Sequence, residues 1–232
     1  MVSYLKWDSK FFDLRVGKVN ISSQEEMDRL FSEHKALSKE FDLIYILGND
    51  GLNCPMSNAK LVDKKLVYTA SINYREVIFN SHIVNYPLDI VSDDLLNLAL
   101  ASGAYSRFFI DKNFPINSYE RLYTRWIEQS VKRVIATEVF CYIVNDRPRG
   151  LLTLKRDGIN GNIGLVATDG AYRGKGIGSA LLEYVLFYMY EKGCKTLNVV
   201  TQAQNTAACH LYEKVGFLMT SSTDIWHWWL NK

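Results

Sequence analysis

Ile163-Gly164-Leu165-Val166-Ala167-Thr168-Asp169-Gly170-Ala171-Tyr172-Arg173-Gly174-Lys175-Gly176-Ile177-Gly178-Ser179 is the stretch on which the fold turns. An extended apolar segment, Ile163 to Thr168, meets a helix predicted over Ile177 to Lys192 through a turn crowded with glycine. Gly174, Gly176 and Gly178 lack the Cβ that would shield backbone N–H groups, so the turn can be tight and open to a ligand. A helix beginning there adds unpaired N–H groups and the positive end of its dipole, a seat for pyrophosphate. Arg173 and Lys175 add two cations, and each charge-assisted contact to phosphate contributes roughly 1.5–3 kcal/mol.

By itself the loop is ambiguous. It has neither the Gly-Lys-Ser/Thr ending of a P-loop nor the spacing of the dinucleotide fingerprint, and a glycine-rich corner that binds nothing reads equally well. Downstream, Ile177, Ala180, Leu181, Tyr184, Val185 and Tyr188 recur at helical spacing, so the loop does open an amphipathic helix.

Arg173-Gly174-Lys175-Gly176-Ile177-Gly178 resembles the acetyl-CoA signature of the GNAT acyltransferases, Arg/Gln-x-x-Gly-x-Gly/Ala. The run Thr201-Gln202-Ala203-Gln204-Asn205-Thr206-Ala207-Ala208, leading to Tyr212-Glu213-Lys214-Val215-Gly216-Phe217, is similar to that superfamily's second motif. The resemblance implies an α+β GNAT fold, a mixed central sheet flanked by helices. It also implies acetyl-CoA as co-substrate, with no metal. Backbone groups of Val166, Ala167 and Thr168 would hold pantetheine; Arg173, Gly174, Lys175, Gly176, Ile177, Gly178 and Ser179 would hold the pyrophosphate. Asn205 would contact the cofactor, and Tyr212 would be the acid that meets the CoA thiolate. On periodicity alone Tyr212 reads as a core tyrosine. Thr168 and Gly170 stand where the family usually has a hydrophobic residue and often a proline.

Direct transfer from thioester to amine needs a positioned thioester, an uncharged amine and a proton for the departing thiolate. Orientation can supply about 7–11 kcal/mol of the acceleration. Many family members place a glutamate on the strand before the loop, but Asn162 to Thr168 contains no acid. Asp169 reads as a turn residue. The base is therefore a water chain, or an acid or histidine from elsewhere.

The 232 residues are 48% hydrophobic and 22% charged, enough for one domain or two small lobes with a full core. A net charge of +2 without blocks of like charge argues against nucleic acid or an anionic membrane as the main partner. Cys54, Cys141, Cys194 and Cys209 show no ligand-like spacing and read as buried free thiols in a reducing compartment. The opening Met1-Val2-Ser3-Tyr4-Leu5-Lys6-Trp7-Asp8 has no basic-then-apolar leader and no stretch is of bilayer length, so a cytoplasmic location is expected.

Residues 1–88 are expected to form a smaller N-terminal α/β lobe, degenerate or truncated and GNAT-like, and residues 89–232 the acyltransferase domain. In the first part a strand is predicted over Arg15 to Ile21. A helix follows, capped by Ser23 with Glu26 and faced by Met27, Leu30, Phe31 and Leu37, with His34 packed or half-exposed. Strands follow at Phe41 to Leu47 and Leu61 to Ile72. Nothing before about residue 80 suggests chemistry. Beyond it come helices capped by Ser92 and Asn117, a hairpin of Glu138 to Val144 with Gly150 to Leu154, a strand over Thr196 to Thr201 and a helix over Thr206 to Val215. Phe217 to Thr220 and Ile225 to Leu230 close the sheet.

A narrower resemblance runs through Leu5-Lys6-Trp7-Asp8-Ser9-Lys10-Phe11-Phe12, Ser106-Arg107-Phe108, Tyr123-x-x-Trp126-Ile127-Glu128 and Val199-x-Thr201-Gln202. These look like the N-acetyltransferases of dTDP-fucosamine (dTDP-4-amino-4,6-dideoxygalactose), so the implied acceptor is the amine of a dTDP-linked aminosugar. Arg107 is the candidate for its diphosphate, or else a surface salt-bridge partner; Tyr123 or Trp126 is the candidate for sugar or base. That group often forms homodimers, and the aromatic end Ile225-Trp226-His227-Trp228-Trp229-Leu230 reads as an interface strand or equally as an interior one. A GNAT enzyme for a protein, peptide or other small amine, and a non-catalytic acetyl-CoA-binding module, are the rival readings.

Overall fold

The computed structural model describes residues 1–54, 56–73, 80–87 and 89–231. The first part runs β1 (Ser3–Tyr4), α1 (Lys6–Phe12), β2 (Val16–Ile21), α2 (Gln24–Ser32), α3 (His34–Glu40), β3 (Leu43–Gly48), β4 (Ala59–Ser71) and β5 (Ile83–Asn85). The second runs α4 (Asp93–Ser102), α5 (Arg107–Ile110), α6 (Ser118–Val131), β6 (Glu138–Val144), β7 (Arg147–Asp157), β8 (Asn160–Thr168), α7 (Ile177–Glu191), β9 (Thr196–Gln202), α8 (Thr206–Val215) and β10 (Leu218–Trp229).

These strands make one mixed sheet of ten, ordered β1-β2-β3-β10-β4-β9-β8-β7-β6-β5. Among the described residues only β2 with β3 and β8 with β9 pair in parallel. Successive strand residues point to opposite faces, and the core divides accordingly. Phe140 and Leu152 pack with Leu181 and Val185 of α7, whereas Cys141 and Leu151 pack with Leu95 and Leu98 of α4 and Ile127 of α6. A third cluster, centred on Trp228, Ile44 and Met27, lies under α2 and α3. Full burial of such a side chain contributes about 1.5–3 kcal/mol.

The α+β class with a mixed sheet between helices is as expected, while several elements differ in detail. β10 is one strand, not two segments. Asp224–Trp229 pair with β3 on one side and Leu218–Trp228 with β4 on the other, so the aromatic tail is interior and has no free edge to offer a partner. The helix expected from Ser23 breaks at Glu33 into α2 and α3; His34 lies part-buried, its ring 5.6 Å from that of Trp228. Ser23 and Ser92 accept from Glu26 N–H and Leu95 N–H as caps. Asn117 precedes α6 in a left-handed conformation (φ 60°) and makes no side-chain cap. On α7 the buried stripe includes Leu182, Leu186 and Met189, with Ala180, Tyr184 and Tyr188 only partly covered. All four cysteines are free, but Cys54 and Cys209 are only half-buried.

The expected lobe boundary falls at residue 88, which lies outside the described residues. On either side of it the chain shares the sheet, because β4 lies between β9 and β10. Among the described residues no helix is long and apolar enough to cross a membrane.

Candidate functional site

β8 and β9 pair only from Asn160↔Thr196 to Ile163↔Val199 and then part. The cause lies on the other side of β8. Between Leu152↔Val166 and Leu154↔Ile163 the register slips by one residue, so Gly164 and Leu165 together oppose Thr153. This is a β-bulge, which bends its strand. Thr153 stabilises it by accepting a 2.8 Å hydrogen bond from Leu165 N–H, and a Cβ on Gly164 would lie 2.7 Å from the Thr153 hydroxyl. Beyond the bulge Val166, Ala167 and Thr168 still pair with β7, while among the described residues no strand pairs with their other edge. A cavity of about 920 Å³ fills the opening, lined by Gly164 to Thr168 on one side and Val200, Thr201 and Gln202 on the other.

The glycine loop closes one end of that cavity. Asp169 caps a one-turn 3-10 helix (Gly170–Tyr172), accepting from Ala171 N–H at 3.0 Å and from Arg149 Nη1 at 2.8 Å. Arg149 also reaches Asp94 at 3.4 Å, tying the loop to the start of α4. Gly174 (φ 75°) and Gly176 (φ 80°) then take left-handed conformations with open space where a Cβ would stand. Gly176 is the N-cap of α7 and supplies no side chain, which leaves the first N–H groups of the helix to a ligand. Gly178 serves packing instead, since a Cβ there would meet Leu211 of α8 at 2.9 Å.

Asn205 is the N-cap of α8, its Oδ1 accepting from Ala208 N–H at 3.3 Å. Seven residues on, Tyr212 is 4% exposed and borders the same cavity. Burial, and then the Cys209 thiol, push its phenol well above the ordinary tyrosine range. It is therefore an O–H donor throughout the working pH range.

On the opposite face of the sheet α5 and α6 form the far wall. Tyr123 lies against Gly103, where any Cβ would collide with its ring, and stacks edge-on with Trp126 at 4.9 Å. The Arg107 guanidinium stands over the rings of Tyr45 (4.2 Å) and Phe108 (4.7 Å). It makes no ion pair within 4.0 Å among the described residues, so the salt-bridge alternative gives way to a cation–π seat. A second cavity of about 370 Å³ shares Asp63, Arg107 and Val200 with the first and is flanked by Asp8, Lys18 and Lys65.

Behind this wall Asp111 accepts from His227 Nδ1 at 2.6 Å and from Trp229 Nε1 at 2.9 Å. Burial pushes His227 down to about 4 against the pull of Asp111, so the neutral imidazole donates and the contact is a hydrogen bond, not an ion pair. Burial alone would raise the Asp111 carboxyl, but these donors hold it below its usual value.

Of the residues singled out in the sequence, Val166, Ala167, Thr168, Arg173, Gly174, Gly176, Ile177, Gly178, Ser179, Asn205, Tyr212, Arg107, Tyr123 and Trp126 all border the larger cavity. Lys175 does not; its Nζ sits 4.5 Å above the Tyr172 ring. Asp63 was missed, on a strand where no chemistry was expected. It is 5% exposed, it borders both cavities, and its Oδ1 has no hydrogen-bond partner among the described residues. Burial raises its carboxyl to about 6, against the pull of Arg107 and Lys65. The alternation of β4 gave no warning, since Leu66, Tyr68 and Ala70 mark the core phase and Asp63 falls in the other.

Residues 104–217 match the model of the Acetyltransferase (GNAT) family. Over 236 aligned positions the chain is 28% identical to the dTDP-fucosamine acetyltransferase of Escherichia coli O6:H1, covering 96% of this chain and 95% of that one. It is 34% identical to N-alpha-acetyltransferase 30 of Saccharomyces cerevisiae, but over 31% of this chain and 43% of the relative. The PaiA N-acetyltransferase of Thermoplasma acidophilum, solved in complex with coenzyme A, superposes with a TM-score of 0.51 at 20% identity, over 62% of this chain and 96% of its own.

Proposed function

Through residues 104–217 this chain belongs to the GNAT family and is an acetyl-CoA-dependent N-acetyltransferase, and from that premise we propose that its acceptor is the amine of a nucleotide-linked aminodideoxysugar of the dTDP-4-amino-4,6-dideoxyhexose type. The observation that carries the reading is the extent of the likeness to a dTDP-fucosamine acetyltransferase, 96% of this chain against 31% for the yeast N-alpha-acetyltransferase. A shared catalytic half would explain a match to any GNAT enzyme; a match that also takes in residues 1–88 concerns the part that surrounds the acceptor.

In this reading the free edge of Val166, Ala167 and Thr168 pairs with pantetheine, and the uncapped start of α7 with Arg173 holds the pyrophosphate. The residues fit such a carrier because Gly174 and Gly176 leave open space where a side chain would obstruct it. The acetyl thioester supplies an activated acyl group. Tyr212 donates a hydrogen bond, and then its proton, to the sulfur as it leaves. Asn205, already engaged as a cap through Oδ1, contributes its Nδ2 donors. Arg107, with Lys18 and Lys65 in the adjoining cavity, meets the diphosphate of the acceptor, while Tyr123 and Trp126 present aromatic faces to sugar or base. Residues 89–232 act as the catalytic domain, and the preceding lobe contributes β4 and part of the acceptor wall. The reaction belongs to the cytoplasm and to the making of cell-surface polysaccharide.

The test is release of free thiol from acetyl-CoA with dTDP-aminosugars, N-terminal peptides and polyamines as acceptors. Turnover confined to the dTDP-aminosugars is expected. Preference for a peptide, or tight CoA binding with no turnover on any amine, refutes the reading.

A further inference from the structure

We propose that Asp63 accepts the proton of the attacking amine, which makes it a catalytic residue of the transfer reaction. The proposal rests on the N-acetyltransferase reading above and adds the base for which the strand before the loop has no acid.

Among the described residues lining the 920 Å³ cavity, Asp63 carries the only carboxylate. It stands on β4 beyond the Lys65↔Gln202 pair, past the end of β9, and borders the cavity that opens where β8 and β9 part, on the face that carries Val200, Tyr45 and Arg107. Tyr212 packs on the opposite face, with Tyr68 and Phe217. A thioester threaded between β8 and β9 thus has a proton donor on one side and a proton acceptor on the other.

The Oδ1 atom of Asp63 is also buried and has no hydrogen-bond partner among the described residues. A buried carboxylate oxygen without a partner costs about 1–3 kcal/mol or more, a cost relieved when an amine or ammonium arrives as donor. The groups facing Asp63 are Arg107 of α5, Tyr45 of β3, Tyr123 of α6 and Lys65 of its own strand, with Lys18 of β2 lining the same smaller cavity, Asp8 of α1 beyond Arg107 and apolar Ile225 and Val200 from β10 and β9. Burial sets the carboxyl near 6, so it is ionised at neutral pH yet basic enough to take a proton.

In the transfer step the amine lone pair forms the C–N bond at the thioester carbonyl carbon, and the N–H proton passes to Asp63 Oδ1. The C–S bond breaks with its electron pair on sulfur, which takes the phenolic proton of Tyr212. Water then carries one proton from Asp63 to Tyr212 and restores both.

The experiment compares wild type with Asp63→Asn and Arg107→Gln, using whichever of the dTDP-aminosugars, peptides or polyamines the wild type acetylates. With Asp63→Asn, kcat/KM should fall by about 10²-fold or more, with the affinity for CoA unchanged within about twofold and the acidic limb of the pH profile gone. With Arg107→Gln, which removes a cation favouring the ionised carboxylate, that limb should move to higher pH. An Asp63→Asn enzyme within about threefold of wild type, or one that keeps the acidic limb, overturns the proposal; so does an Arg107→Gln limb that stays in place. Turnover of a peptide or polyamine alone refutes the acceptor reading and leaves Asp63 to be judged on that amine. A wild type that acetylates none of them refutes both.

Discussion

Replacing Asp63 by Asn should make the protein more stable at neutral pH, and the size of the gain can be worked from its surroundings. The carboxyl titrates near 6 in the folded chain against 3.8 when solvated, a difference of about two pH units. At about 1.4 kcal/mol per unit, the ionised group costs the native state on the order of 3 kcal/mol. The folded value lies above the unfolded one, so this cost is absent below about pH 4 and enters as pH rises through about 6. Asparagine keeps the shape without the charge. The difference in unfolding free energy between the variant and the wild type should therefore widen by about 2–3 kcal/mol between pH 4 and pH 7.5. His227, held down near 4, destabilises the folded chain over the opposite course, as pH falls from about 6.5 toward 4; it is present in both proteins and cancels in the difference. Urea denaturation at several pH values reads the effect as a midpoint shift of about 1–2 M, given a slope of about 2 kcal/mol per M. A gap between the two proteins that stays constant from pH 4 to pH 7.5 would refute the reasoning, because it would mean that the carboxyl is not held in an apolar setting.

Tyr212→Phe should lower kcat tenfold or more while leaving the affinity for CoA within about twofold, measured by steady-state kinetics beside calorimetry. An unchanged kcat removes the tyrosine from the reaction. Gly176→Val should raise the Kd for CoA by tenfold or more, since a β-branched residue at φ 80° is strained by at least about 1–2 kcal/mol and its side chain enters the space where the anion would sit; calorimetry showing equal Kd values would contradict this. Asp111→Ala strips the acceptor from two buried donors, His227 Nδ1 and Trp229 Nε1, and should cost about 2–5 kcal/mol in denaturant unfolding. A loss below about 1 kcal/mol would show that water replaces the carboxylate.

The features set by local backbone shape were legible in the sequence. Gly174 and Gly176 are required by the left-handed turn before α7, and Ser23 and Ser92 cap α2 and α4 as their residue types predict. What could not be read depends on contacts distant in the chain. Asp63 follows the solvent phase of its strand yet is buried in a cavity that Arg107 and Tyr45, from remote elements, also line. β10 looked like two pieces because the polar run Ser221-Ser222-Thr223 interrupts its apolar pattern, yet pairing with Lys65, Leu66 and Val67 carries the strand across the gap. Asn117 carries a capping residue type, but its backbone is left-handed where a capping residue is ordinarily extended, and its side chain forms no cap hydrogen bond. Arg107, read as either a phosphate ligand or a salt-bridge partner, proved to stand on aromatic rings that no local pattern associates with it.

The interleaving of β4 between β9 and β10 has a consequence for how the polypeptide is made. The final strand must slot between two strands synthesised much earlier, β3 and β4, so the middle of the sheet stays open until residues 218–229 have left the ribosome. Until then β3 and β4 expose hydrogen-bonding edges, the kind of surface that invites association between nascent chains. Cutting the gene near codon 88 would not liberate a compact transferase: it would deprive β9 and β10 of the neighbour they share and leave an enzyme split along its own midline.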